Sequence, residues 1–105
     1  MRALVLYHPN SEHSGQVEDY ARDFKRFKGK DLELVSLETR EGAHLAELYD
    51  VVRYPAVLVI GPDGVMQKIW EAPLMPLMDE VNSYVYDYNR DLARAQLLTI
   101  SPLNS

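Results

Sequence analysis

The chain has 105 residues and no cysteine, so disulfides, thiolate nucleophiles and thiolate metal sites are excluded. A formal charge of −5 and a pI near 5.1 leave no general basic field for nucleic acid, and a hydrophobic fraction of 47% suits one ordinary folded domain. No apolar run approaches the ~18 residues of a membrane span, and the opening Met-Arg-Ala-Leu-Val-Leu-Tyr reads as too short for a signal peptide, which together point to a cytoplasmic protein without a membrane role.

Arg2 to Tyr7 is a short apolar run that stops at His8-Pro9-Asn10, a proline-marked loop, and is predicted to be the first strand. After Ser11-Glu12-His13-Ser14, the residues Val17, Tyr20, Ala21, Phe24 and Phe27 recur at helical spacing with charged residues between them. Ser11 and Ser14 are the expected N-caps of this first helix, and Gly29 stands where it should end. The basic cluster Lys25, Arg26, Lys28 and Lys30 falls near its C-terminal end, where it complements the helix dipole.

Leu32 to Leu37 alternates in the manner of a second strand, and Thr39 is placed to cap a short second helix whose apolar stripe comprises Ala43, Leu45, Ala46, Leu48 and Tyr49. Asp50 to Ile60 leaves that helix, passes through Pro55 and becomes the continuous run Ala-Val-Leu-Val-Ile. Proline lacks a ladder donor, so Pro55 belongs at the strand's start, and the β-branched run behind it suits burial on both faces. Gly61-Pro62-Asp63-Gly64 is a tight turn into a partner strand from Val65 to Trp70.

Pro73 and Pro76 mark the next loop, and Leu77, Met78, Val81, Tyr84, Val85 and Tyr88 form the apolar side of a third helix. Met66, Trp70, Met75 and Met78 read as packing residues. Tyr84, Tyr86 and Tyr88 alternate, so a helix cannot bury all three, and with Leu92 they suggest a homodimer contact through the C-terminal helix. Residues 1–88 are thus expected to form the domain, and 89–105 a helical extension or flexible tail.

The predicted order is β-α-β-α-β-β-α. Helices on both faces and a right-handed parallel βαβ start favour an α/β sandwich of three layers around a central four-stranded mixed sheet. That order, with Tyr54-Pro55, the apolar strand and the glycine turn, resembles the thioredoxin-like superfamily, in which the corresponding proline is cis. The resemblance covers about residues 2 to 88 and implies a CxxC motif at the start of helix one, a little over forty residues before the proline. At that spacing this chain carries Ser11-Glu12-His13-Ser14, an SxxS in place of CxxC. Asn10 stands where the family has a tryptophan, and Arg2 to Tyr7 contains no counterpart of the family's buried acid. A serine hydroxyl neither forms a disulfide nor ionises usefully near neutral pH, so the family's redox chemistry is absent.

What the resemblance leaves is a groove between Ser11, Glu12, His13 and Ser14 on one side and Tyr54 and Pro55 on the other, expected to bind a peptide or protein partner without covalent chemistry and without a cofactor. Two alternatives stand beside it: a glutathione- or small-thiol-binding enzyme lacking its own cysteine, and a Cys-to-Ser variant of a thiol-disulfide oxidoreductase. Ser11 or Ser14 with His13 could form a nucleophile and base, but neighbours at a helix start usually point apart. His8, Glu12 and His13 are a weak signal for a metal, and none is expected.

Overall fold

The structure, a computed structural model, describes residues 2–73 and 75–85. Its strands are β1 (Arg2–Tyr7), β2 (Glu33–Ser36), β3 (Ala56–Ile60) and β4 (Met66–Glu71); its helices are α1 (Ser14–Lys28), α2 (Arg40–Leu48) and α3, which is described over 78–85. The predicted element order is the observed one. The expected extension at 89–105, Tyr86, Tyr88 and Leu92, and with them the homodimer contact, lie outside the described residues.

The four strands form one mixed sheet in the order β2-β1-β3-β4. β1 runs parallel to β2, and β1–β3 and β3–β4 are antiparallel. The two central strands are the two most apolar, as they must be where helices cover both faces and no side chain can point to water. Every residue of β3 is buried, and in β1 only Arg2 is not.

Strand alternation divides the core into two clusters. Ala3, Val5 and Tyr7 of β1 with Val57 and Val59 of β3 pack beneath Val17 and Phe24 of α1 and Val81 of α3. Leu4 and Leu6 with Ala56, Leu58 and Ile60 point the other way, onto Leu45 of α2 and onto Val51. Burying one such aliphatic side chain contributes about 1.5–3 kcal/mol, so the alternation that sends Leu4 one way and Val5 the other sets the sheet's register. Met75, Met78 and Trp70 close the first cluster and Met66 the second, consistent with packing roles.

Local signals account for the ends of the elements. Gly29 terminates α1 at φ 69°, its N–H donating to the Lys25 carbonyl. Thr39 caps α2, its hydroxyl accepting from the Gly42 N–H at 3.0 Å. Asp50 turns the chain off α2 at φ 56°, a left-handed conformation that aspartate tolerates better than most residues. In the β3–β4 turn Gly64 takes φ 82°, and the Asp63 carboxylate accepts from the Val65 N–H. A bulge between Val59 and Ile60 shifts the β3–β4 register by one residue.

Two expected apolar stripes prove narrower than their spacing suggests. Phe27 of α1 is 65% exposed, with the Arg26 guanidinium over its ring, and Leu48 of α2 is 58% exposed. Each lies in the last turn of its helix. Gly42, by contrast, is buried against β2, a contact that its lack of hydropathy conceals.

Candidate functional site

The site lies where the β1–α1 loop meets the segment leading into β3. Tyr7 ends a buried strand and delivers residues 8–13 to the rim of the sheet, while Val51 is anchored in the opposite core cluster and leaves Val52 and Arg53 exposed. Tyr54 is half-buried, its hydroxyl donating to the Val51 carbonyl at 2.7 Å, and Pro55 is buried at the start of β3. The Tyr54–Pro55 peptide bond is cis, as the resemblance implies, and so is Ala72–Pro73.

The serines do not cap α1 as expected. The N-cap position belongs to His13, which makes no side-chain cap bond. The Ser11 hydroxyl donates to the His8 carbonyl at 2.6 Å, and the Ser14 hydroxyl donates to the Ser11 carbonyl at 3.0 Å. The physical reason is the tight local turn, reinforced by Ser11 N–H to His8 O and Ser14 N–H to Ser11 O, which places a carbonyl three residues back within reach of each hydroxyl.

His8 is the hub of this loop. Its carbonyl accepts from both the N–H and the hydroxyl of Ser11, its own N–H donates to Nε2 of His13 at 3.1 Å, and its ring meets the Tyr54 ring edge-on at 5.3 Å between centroids. Through that ring contact the loop holding Ser11, Glu12, His13 and Ser14 touches the segment holding Tyr54 and Pro55. In the sequence His8 stands out only as one of a weak metal triad with Glu12 and His13. Its position immediately after a buried strand and beside Pro9 was the available signal, because the chain's exit direction there decides what the loop can reach.

The same bonds limit the chemistry. Neither serine hydroxyl is hydrogen-bonded to His13, whose Nε2 is occupied by the His8 N–H, so the arrangement is not that of an activated nucleophile. Burial, and then the neighbouring His8, hold His13 below the ordinary imidazole range. Glu12 is exposed, and His44 on α2 is exposed too. Among the described residues no three His, Asp or Glu side chains gather in a way that could hold a metal ion, and no polar or charged side chain is fully buried beneath the loop. Asn10 reaches sideways to the Glu38 carboxylate at 3.4 Å, tying this loop to the one after β2.

Backbone groups remain. Neither Arg53 nor Tyr54 forms a backbone-to-backbone hydrogen bond among the described residues, although Val51 before them and Ala56 after them are tied into α2 and the sheet. The strip therefore presents peptide donors and acceptors at a partly solvated edge.

No protein-family model matches the sequence, and no curated protein matches it. In three dimensions the chain is similar to thioredoxin 1 from the thermophilic eubacterium Thermosipho africanus TCF52B, with a TM-score of 0.61 and 12% sequence identity, over 89% of this chain and 99% of that one. The mixed four-stranded sheet, the helices on both its faces and this structural likeness together establish a thioredoxin-like α/β fold in a chain that contains no cysteine.

Proposed function

We propose that this protein is a redox-inactive thioredoxin-fold module that binds an extended segment of a peptide or protein partner without covalent chemistry. The partner would lie along Arg53–Tyr54, facing the loop from His8 to Ser14. The observation that carries this reading is the backbone of Arg53 and Tyr54, unpaired with other backbone among the described residues, beside an aromatic pair in which His8 is exposed and Tyr54 half-buried. An extended peptide satisfies such backbone groups as an added strand would, and its side chains can rest on rings and on the exposed Val52. The absence of cysteine removes thiol exchange with the chain's own residues as a competing use of this strip.

The test is titration of the 15N-labelled chain with extended peptides from an unbiased library. Amide shifts at Ser11, Ser14, Tyr54 and Ala56 are the expected result. Binding that leaves these four unmoved and perturbs only α3 and the residues beyond it would transfer the site to the C-terminal helix and overturn the reading.

A further inference from the structure

We propose that His8 and His13 form a pH-operated latch on the β1–α1 loop, closed while His13 is neutral and opened when His13 takes up a proton. The closed state is set by one bond. Nε2 of His13 accepts the His8 N–H at 3.1 Å, and an imidazole nitrogen accepts only through its lone pair. The neutral ring must therefore carry its proton on Nδ1. Protonation turns Nε2 into a second donor, and two N–H groups then face each other where a hydrogen bond stood.

The surroundings favour the closed form near neutral pH. His13 occupies the N-cap of α1, where the helix dipole presents its positive end and disfavours an imidazolium. The titratable groups around it are His8, whose ring centroid lies 6.1 Å away, Tyr54, which meets the His8 ring edge-on, and Glu12 next to it in the loop. Glu38, on the loop after β2, is engaged by Asn10. Burial opposes an imidazolium at His13, and the neighbouring imidazole of His8 adds to that opposition.

The movement has a defined path. The His8 carbonyl stays clamped by the two bonds from Ser11, while its N–H side is released. The His8 ring, edge-on to Tyr54, is carried with it. If the peptide-binding reading holds, on which this consequence rests, the latch makes occupancy of the Tyr54 strip depend on pH. The latch itself does not need that reading.

The experiment uses the full chain alone, so its failure is separate from any failure to bind peptide. Hydrogen exchange of the His8 amide, corrected for intrinsic rates, is followed by NMR from about pH 7.5 to about pH 5 together with the His13 ring nitrogens. In the native chain, protection at His8 should fall about tenfold, the order expected for loss of one hydrogen bond, with the midpoint of the His13 titration. In His13→Gln, whose amide oxygen can accept but does not titrate, protection should not change with pH. In His13→Ala the acceptor is gone, and protection should be low throughout. A His13 that titrates while His8 protection stays constant, a His13 that never titrates in this range, or a pH dependence kept in both variants would overturn the proposal.

Discussion

A Cβ atom built on Gly42 would stand 2.0 Å from the carbonyl oxygen of Ser36 and 2.7 Å from its carbonyl carbon. Helix α2 thus meets the end of β2 backbone to backbone, with no space for even a methyl group. The neighbour is main chain in a parallel β-ladder, which cannot rotate away as a side chain would. Gly42→Ala should therefore destabilise the protein by about 3 kcal/mol or more, above the usual cost of overpacking. Gly15, in the first turn of α1, is the matched control, because a methyl group added there would meet nothing within 4 Å. Gly15→Ala should stabilise by about 0.5 kcal/mol through helix propensity. Urea midpoints at unchanged m-value measure both. Equal effects in the two variants would refute the close approach.

The caps of the two main helices make a second contrast. Thr39 both accepts from the Gly42 N–H at 3.0 Å and donates to the Ser36 carbonyl at 2.7 Å, whereas Ser14 only returns its hydroxyl to the Ser11 carbonyl. Thr39→Ala should cost about 1–2 kcal/mol. Ser14→Ala should cost about 0.5 kcal/mol or less, since no helical N–H loses its partner. A large loss at Ser14 would mean that this hydroxyl caps α1 in solution.

These residues show why some of the molecule was legible in the amino-acid sequence and some was not. The β3 run, Pro55 and the glycine turn were readable because each is governed by local chemistry: a strand buried on both faces, a missing donor, a positive φ. Gly29 and Thr39 belong to the same class. Gly42 was not readable, because a close backbone approach is a tertiary fact that leaves no periodic trace. Phe27 and Leu48 keep their helical spacing in the last turns of their helices and are nonetheless exposed, which spacing cannot detect. At the site, the positions of Ser11 and Ser14 were legible and their bonding was not. Whether a hydroxyl caps a helix or turns back to a carbonyl depends on the path of a short loop, and that path also promoted His8 from bystander to hub.

Tyr20 supplies a third prediction. Its hydroxyl oxygen is buried yet has no hydrogen-bond partner among the described residues, and burial, with Glu80 adding to it, pushes its pKa up to about 12. The ring itself stacks on Phe24 at 6.3 Å and packs against the core. Tyr20→Phe keeps the ring and removes a group that gave up water for nothing. It should stabilise the fold by about 1 kcal/mol, the lower end of the penalty for an unsatisfied buried hydroxyl. A loss of stability on thermal or urea unfolding would show that the hydroxyl has found a partner.

The lowered pKa of His13 makes global stability depend on pH with a definite sign, independently of whether the loop opens. In the unfolded chain His13 titrates near the ordinary imidazole value of about 6.5, and in the folded chain below it, through burial and the neighbouring His8. Between the two values the unfolded state binds more protons, so stability rises with pH in that window. The contribution of a neutral His13 is complete above the unfolded value and is lost as the pH falls through the folded one. His13→Gln cannot titrate, so on going from about pH 7.5 to about pH 5 the native chain should lose more stability than the variant. Urea midpoints of the two proteins at both pH values separate this difference from the titrating groups that do not interact with His13. An equal loss in both would place the folded pKa of His13 at its unfolded value, and a larger loss in the variant would place it above.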